Sequence, residues 1–320
     1  MKSRHIWCLA ILTSLSLATL SACTADPKPA DTNASNNAAA TAEKPAEPRT
    51  PIKVLIVDGQ NNHNWQATTP VLKRAIGDSE LFTVEVATSP PQGGDMSTFK
   101  PKFSDYDVVV SNYNGQMWSK ETQDAFLDYV RGGGGFVCVH AANNAFGDWK
   151  EYNEVIGLGG WGGRNEKSGP YVYYNDQDRL VTDNSAGPGG GHGPQHDFLV
   201  AIRDTEHPIT KGMPRSWLHF KDELYDKLRG PAMNMKVLAT SFAPKDKAGR
   251  DLHEPMMMTI DYGKGRVFHT PMGHADYSMK CVGFVTTLLR GCEWVATGAV
   301  TIPIPDNFPT ATETSLREYQ

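Results

Sequence analysis

The stretch Lys53-Val54-Leu55-Ile56-Val57-Asp58-Gly59 decides the fold class of this chain. It holds a near-continuous aliphatic run over 54–57, and an aspartate and a glycine end that run. Such a run, bounded by turn residues, is typical of a strand that is buried on both faces of a parallel sheet. The pattern therefore predicts a central parallel strand, and ligands of such sheets bind beyond the carboxyl ends of the strands.

Segments with helical and strand periodicity alternate after this strand. The spacing predicts two helices and three further strands, at Trp65–Ile76, Lys120–Arg131, Phe82–Ala87, Asp107–Val110 and Phe136–Val139. Strands that alternate with helices indicate right-handed βαβ units with helices on both faces of the sheet. We therefore expect an α/β fold with a mostly parallel central sheet.

The second half of the chain is less regular at first. Glycine-rich stretches within Glu151–Gly212 predict loops or an insertion over the sheet. Regular structure is predicted to return in strands, a hairpin turn and a closing helix, at Phe198–Ile202, Lys236–Ala239, Met256–Asp261, Tyr262–Gly265, Arg266–Thr270 and Met279–Ala296.

The N-terminus has the pattern of an export signal. Lys2 and Arg4 precede an apolar run over 6–20, and the segment Leu20-Ser21-Ala22-Cys23 resembles the lipobox of bacterial lipoproteins. We predict a lipoprotein signal peptide over 1–22, a lipid on Cys23, and export to a bacterial membrane, on its periplasmic side or at the cell surface. The alternative is an ordinary cleaved signal peptide with an incidental cysteine.

Composition separates the remaining chain into three parts. Residues 24–50 are rich in Ala, Pro, Asn and Thr and contain no aromatic residue, which predicts a disordered tether over 23–50. The folded domain is predicted over 51–300, and a C-terminal tail over 301–320. The chain has 31 Lys and Arg against 36 Asp and Glu, with no basic stripe, so we expect no nucleic-acid partner.

The cysteines predict no structural disulfide. Cys138, Cys281 and Cys292 remain once the signal peptide and the lipid site are set aside. Eleven helical residues would separate Cys281 from Cys292 by about 16 Å along the axis. A disulfide needs Cα atoms within about 7 Å. The predicted helix therefore keeps this pair apart.

Histidines are the main functional signal. His63 follows the first predicted strand, His140 follows Phe136–Val139, and His274 follows the last hairpin strand, so all three are expected at the ligand edge of the sheet. Glu223 adds a carboxylate. His140, Glu223, His274 and His63 are therefore the candidate catalytic residues, suited to acid–base work near neutral pH.

A divalent metal such as zinc is a second reading of the same residue types. The candidate ligands are His140, His274, His192, His196 and His253. No HExxH motif is present, so the metal-assisted reading and a metal-free acid–base pair of His140 and Glu223 both stay open. His207 is expected to order a turn, and His269 is expected to pack inside a strand.

Other chemistry-bearing motifs are absent from the sequence. No GxGxxG follows a strand, and neither GxxxxGK[ST] nor GxSxG occurs, which disfavours nucleotide binding and serine hydrolysis. Cys138 lies inside a predicted strand and is expected to be buried and inert. Aromatic residues in irregular segments, Trp161 among them, offer faces that stack on sugar rings as readily as they fill a core.

Several segments together resemble the ThuA-like, or trehalose-utilisation, family. They are Gly135–Ala142, Gly191–Phe198, Arg203–Gly212, Asp222–Tyr225, His253–Pro255 and Tyr262–His274, in order within about 52–298. The resemblance implies a flavodoxin-like, class I glutamine amidotransferase-like three-layer sandwich. Those enzymes carry a cysteine at the elbow after a central strand and a histidine after a late strand. Here the two positions hold His140 and His274, so glutamine amidotransferase chemistry is not expected.

The resemblance also implies a role in the use of trehalose or related glucosides, with sugar oxidoreductases as partners in the same pathway. We therefore expect a carbohydrate enzyme that hydrolyses, eliminates or isomerises a trehalose-like glucoside or its keto derivative. Two alternatives remain: a non-catalytic glycan-binding lipoprotein, and an interaction module on an amidotransferase-like scaffold.

Overall fold

The predicted central strand is present as β1 (Ile52–Asp58) in the computed structural model, which describes residues 50–319. It pairs in parallel with β2 (Phe82–Thr88) on one side and with β3 (Val108–Ser111) on the other. All its residues except Lys53 are buried, as its aliphatic run requires. The predicted signal peptide, the lipid site Cys23 and all but the last residue of the predicted tether lie outside the described residues.

The remaining elements follow in chain order. The other strands are β4 (Gly135–Val139), β5 (Tyr171–Tyr174), β6 (Leu180–Asp183), β7 (Gly191–His192), β8 (His196–Ile202), β9 (Ser216–Asp222), β10 (Tyr225–Asp226), β11 (Met235–Ala243), β12 (Leu252–Tyr262) and β13 (Gly265–Thr270). The α-helices are α1 (Trp65–Gly77), α2 (Lys120–Gly132), α3 (Lys150–Ile156), α4 (Asp276–Met279) and α5 (Val282–Thr297).

One large sheet carries the fold. Its strands run in the order β2-β1-β3-β4-β13-β12-β11-β8-β9, and β5 and β6 attach to it through β12. The strands from β2 to β13 are parallel, whereas those from β13 to β9 are antiparallel. The predicted hairpin is confirmed, because Tyr262 pairs with Gly265 across the turn between β12 and β13.

Alternate residues of the parallel strands supply two separate apolar cores. Val54 and Ile56 of β1 belong to the core under α1 and α5, while Leu55 and Val57 belong to the core under α2 and α3. Period-two side-chain alternation explains why a single strand feeds both faces. The three-layer α/β sandwich predicted from the sequence is therefore confirmed.

Two predicted segments differ in the structure. The region 151–212 holds most of α3 and the short strands β5 to β7, and β8 begins within it. The closing helix is interrupted, because α4 ends at Met279 and α5 begins at Val282, with Cys281 as its non-helical N-cap. The prediction of no disulfide is confirmed for Cys138, Cys281 and Cys292, which are free and buried.

The segment predicted as a C-terminal tail lies against α5 over its described residues. Arg290 of α5 donates hydrogen bonds to the carbonyls of Ile302 and Ile209, and Glu293 accepts from the backbone N–H groups of Thr301 and Ile302. This contact explains why α5 is apolar nearly all round: one side faces the sheet and another faces this segment. Over residues 50–319, no helix has the length and apolar character needed to cross a membrane.

A buried carboxylate in β12 predicts a pH dependence of stability. Burial raises the pKa of Glu254 to about 7, although Arg250 donates two hydrogen bonds to it and opposes the shift. Because the pKa of Glu254 is higher in the folded chain than in the unfolded chain, protonation of Glu254 stabilises the fold. This contribution to the free energy of unfolding is complete below about pH 4.5 and is lost as pH rises through 7.

Glu254→Gln should therefore gain stability relative to the wild type between pH 4.5 and 8, by up to about 3 kcal/mol. Urea unfolding across this range measures the difference, with Glu206→Gln as the matched exposed control. Parallel stability profiles for Glu254→Gln and the wild type would contradict the prediction.

Candidate metal and active site

Four side chains from distant parts of the chain converge at one edge of the sheet. These are His63, His140, Glu223 and His274, and one ligand atom from each lies within 4.8 Å of those of the others. Glu223 is central: its Oε2 lies 3.1 Å from Nδ1 of His274 and 3.7 Å from Nε2 of both His63 and His140. The structure thus brings together the four residues that the sequence predicted as catalytic.

Strand direction explains this convergence. His63, His140 and His274 lie in the loops after β1, β4 and β13, which are parallel strands with their carboxyl ends at one edge. Glu223 follows β9 in the antiparallel half, and the four successive antiparallel pairings between β13 and β9 return β9 to the direction of β13.

The sheet also curls so that β9 reaches the closing helices. The ring of Trp217 in β9 packs against the backbone of Gly283 in α5, where a Cβ would lie 2.4 Å from that ring. Contact this close is possible only with a glycine. The curl places the end of β9, and with it Glu223, beside the loop after β13.

His140 is held in a single tautomer. It occupies a left-handed conformation (φ +46°) directly after β4, as expected for an elbow position. Its Nδ1–H donates to the Pro271 carbonyl at 2.6 Å, and the Tyr225 hydroxyl donates to its Nε2 at 2.9 Å. Burial lowers the pKa of His140 to about 3, so the ring is neutral at neutral pH and its Nε2 lone pair accepts from Tyr225.

His63 is oriented in a similar way. Its Nδ1 lies 3.3 Å from Oδ1 of Asn61, and Asn61 donates in turn to the Asn112 carbonyl at 3.2 Å. Metal-binding histidines commonly donate their second ring N–H to an oxygen in this manner. The pattern leaves Nε2 of His63 directed at Glu223.

Asp222 connects the site residues to the core. Its Oδ1 accepts hydrogen bonds from the backbone N–H groups of Glu223 (2.8 Å) and His274 (3.0 Å), and its Oδ2 accepts from the N–H of Gly273 (2.7 Å) and from Nε2 of His219 (2.7 Å). Burial opposes ionisation, yet His219 keeps the pKa of Asp222 below its usual range. Asp222 therefore positions both Glu223 and His274.

The cluster has the charge and the unpaired atoms that a cation would use. Burial would raise the pKa of Glu223, but His274 and His63 hold it well below its usual range, and Glu223 in turn raises the pKa of His274. Oε2 of Glu223 and Nδ1 of His274 lie 3.1 Å apart, but their geometry does not form a hydrogen bond. Both atoms are buried, and neither has another hydrogen-bond partner. Three imidazoles and a carboxylate match the ligand types that zinc and similar dications prefer.

The other predicted metal ligands lie apart from this cluster. His192 is at its rim, with Nδ1 3.7 Å from Oε1 of Glu223. His196 begins β8 and points Nδ1 at the Pro194 carbonyl, and His253 lies in β12 against Phe242. β8 and β12 begin at the ligand edge, but neither imidazole is among the ligand atoms that meet in the cluster, so the structure does not place His196 or His253 with His140 in one metal site.

Two further histidines agree with their structural predictions. Nδ1 of His207 accepts from the backbone N–H of Ile209 in a turn. His269 is fully buried in β13 and lies within hydrogen-bond distance of Asn143 and the Ile156 carbonyl. Cys138 is also buried, and burial raises the pKa of its thiol, so a thiolate nucleophile is not formed there.

A cavity of about 340 Å³ opens beside the cluster. It is lined by Asn62, His63, Asn114, Asn144, Trp161, Gly162, His192 and Tyr225. His63 and Tyr225 thus face both the cavity and the cluster. A small molecule in this cavity would lie next to the candidate metal ligands.

Sequence reasoning missed Tyr225 and Asp222 as site residues. Both lie beside Glu223 in the segment Asp222-Glu223-Leu224-Tyr225, of which the sequence pattern singled out Glu223 alone. Tyr225 is 1% exposed, and burial raises the pKa of its phenol well above 10, so the phenol stays neutral and can donate a hydrogen bond. The clustering of polar residues after a strand was the available signal.

Comparison with known proteins agrees with this architecture. The family model described as "ThuA: Trehalose utilisation" matches residues 53–295. A solved structure of a putative ThuA-like protein from Parabacteroides merdae is 50% identical, with a TM-score of 0.81 over 84% of this chain and 98% of that one. A second from Bacteroides uniformis is 21% identical, with a TM-score of 0.55 over 81% and 97%, and shows the shared fold.

No curated protein matches the sequence. The family model covers well over half of the chain, and its limits coincide with the layered domain that carries the histidine cluster. The chain therefore belongs to the ThuA family, whose description is trehalose utilisation.

Proposed function

We propose that this protein is an enzyme that acts on a trehalose-like glucoside or its keto derivative by hydrolysis, elimination or isomerisation. The observation that carries the proposal is the convergence of three imidazoles on one buried carboxylate, with two polar atoms lacking hydrogen-bond partners. Buried polar groups are nearly always paired, so unpaired ones at a cluster of ligand types favour a bound cation.

The residues divide into those that hold the cation and those that face the cavity. His63, His140, His274 and Glu223 would hold a divalent metal such as zinc. When bound, such a metal polarises a sugar carbonyl or lowers the pKa of a water molecule. Glu223 supplies the negative charge, and the hydrogen bonds of Asn61 and Pro271 keep the rings of His63 and His140 in place.

Proton transfer requires groups that reach the cavity. The neutral Tyr225 phenol lines the cavity and is a hydrogen-bond donor. His192 also lines it, is 37% exposed, and lies 3.7 Å from Glu223, so its imidazole is accessible from both the cavity and the solvent. Acid–base residues of this kind typically contribute factors of 10²–10⁴ to a rate.

The cellular context of the proposal comes from the N-terminal sequence. A lipid on Cys23 and a tether over 23–50 would hold the domain at a bacterial membrane after export. A keto derivative arises by oxidation of a sugar hydroxyl, so sugar oxidoreductases would supply such a substrate.

Metal analysis combined with a substrate screen tests the proposal. We expect about one divalent metal per purified chain, with turnover of a native or oxidised disaccharide, and we expect His140→Ala to lose both. His196→Ala is the matched control, since that histidine lies outside the cluster.

Three outcomes would count against it. Absence of bound metal, together with a thermal stability that a chelator does not change, would end the metal-assisted version. Turnover that is unchanged in His140→Ala would end the proposed site. Sugar affinity without turnover of any disaccharide, surviving the loss of both His140 and Glu223, would favour a non-catalytic glycan-binding protein.

A further inference from the structure

The cavity beside the histidine cluster has features of a built binding site. Its volume of about 340 Å³ is at the lower end of the range for small-molecule sites, which suits one sugar ring better than an extended chain. It shares His63 with the cluster, and its lining residue Tyr225 donates a hydrogen bond to His140 of the cluster. Whatever occupies the cavity is therefore presented to the proposed reaction centre.

Trp161 forms an aromatic wall of this cavity in a strained conformation. Its φ of +50° lies in the left-handed region, which bulky residues rarely adopt. Its ring centroid lies 4.8 Å from that of Tyr225 and 5.8 Å from that of His192. Gly190 permits this placement, because a Cβ there would lie 2.7 Å from the Trp161 ring. Such strain persists where the surroundings enforce it, and it clusters at functional sites.

Arg164 enforces the position of the Trp161 loop. This side chain is only 3% exposed and donates to the carbonyls of Gly160 (2.7 Å), Asn144 (3.1 Å) and Ala145 (2.7 Å). Its Nε also donates to Oδ1 of Asn153 in α3 at 2.9 Å. One buried guanidinium thus joins the loop with Trp161 to the loop that follows His140, which orients the aromatic wall before a ligand binds.

Amide groups supply the polar part of the lining. Asn114 donates to Oδ1 of Asn62 at 2.6 Å, which leaves other amide donors and acceptors of this pair facing the cavity. Oδ1 of Asn144 is buried and has no hydrogen-bond partner. Amides both donate and accept, as a ligand with several hydroxyl groups requires.

The lining contains no lysine, arginine, aspartate or glutamate. Phosphate and carboxylate groups on ligands are generally bound by cationic side chains or by helix N-termini. An aromatic face in one cavity with neutral amides instead matches an uncharged polyol with apolar C–H faces.

We propose that this cavity binds a single neutral pyranose unit of the substrate, with its ring against Trp161 and its hydroxyls on Asn62, Asn114 and Asn144. This inference rests on the proposed function, because it treats the adjacent cluster as the reaction centre. It adds that the substrate is unphosphorylated and that one sugar ring determines recognition.

Binding measurements with the full chain test this inference without an activity assay. Trehalose, methyl α-glucoside and trehalose 6-phosphate are titrated by calorimetry, with and without a chelator. We expect the two neutral sugars to bind more tightly than the phosphorylated one. Trp161→Ala should weaken binding by about tenfold or more, since stacking and ring burial together contribute over 1.4 kcal/mol.

Matched variants separate recognition from folding. Trp161→Phe should retain most of the affinity, Asn114→Ala should reduce it, and Phe242→Ala, at an exposed aromatic that does not line the cavity, should not change it. Unchanged affinity in Trp161→Ala, tighter binding of trehalose 6-phosphate, or no binding of either neutral sugar would overturn the inference.

The two proposals fail in different ways. Sugar binding by a wild-type chain that holds no metal and turns over no disaccharide would refute the proposed function and leave the sugar site intact. Metal binding without affinity for either neutral sugar would refute the sugar site alone. His140→Ala should lose the metal and keep the sugar affinity if both are correct.

Discussion

Glu223→Gln should lower the affinity of the protein for Zn²⁺ by about a hundredfold or more. The substitution keeps the shape of the side chain but removes the negative charge that lies within 3.7 Å of His63, His140 and His274. Loss of a hydrogen-bond partner that only supports a ligand already costs 10–100-fold in metal affinity, so loss of the central carboxylate should cost at least as much. Competition against a chromophoric chelator measures the affinity.

Variants of the two candidate histidines that lie outside the cluster are the controls for this experiment. His196→Ala and His253→Ala should keep wild-type Zn²⁺ affinity, because neither side chain reaches the cluster in the described part of the chain. A Co²⁺-substituted protein should show the same visible spectrum in both controls. Equal losses in Glu223→Gln and His196→Ala would mean that the metal binds elsewhere.

Asp222→Ala should destabilise the fold by about 3–5 kcal/mol, the cost of removing one partner from a buried ion pair. The carboxylate is fully buried and accepts from His219 and from the backbone of Glu223, Gly273 and His274. Its loss leaves an imidazole and three N–H groups without their acceptor. Urea unfolding measures the free-energy change.

Asp58→Ala supplies the matched control. Asp58 is also buried and lies at the end of β1, but it accepts from the Thr88 hydroxyl and does not contact the cluster. We expect a smaller loss of stability and an unchanged Zn²⁺ affinity there. At a urea concentration where both variants are folded, Asp222→Ala should in addition bind Zn²⁺ more weakly; equal metal affinities would refute its positioning role.

The parallel half of the sheet was predictable because its strands are buried on both faces. β1, β3 and β4 each contain a run of apolar residues, which makes them recognisable without any knowledge of their neighbours. The short strands β5, β6, β7 and β10 were not predicted, because two to four residues carry too little periodicity to distinguish a strand from a loop.

The histidines show the same division. His63, His140 and His274 follow strands that share one direction, so their positions along the chain already implied a common edge. His196 and His253 are candidate ligands by residue type alone, since neither follows a predicted strand. Both lie in strands of the antiparallel half, where the distance of a residue from the ligand edge depends on the register between its strand and the neighbouring strands.

Local sequence therefore specified the layered α/β class, the parallel strands and the loops that carry three of the four cluster residues, because these depend on patterns within a few residues. Tertiary structure alone placed Glu223 beside His274, since this contact needs the curl of the antiparallel strands and the hydrogen bonds of Asp222 across 51 and 52 residues of chain. Contacts between residues this far apart arise from the packing of whole elements, and no short segment encodes them.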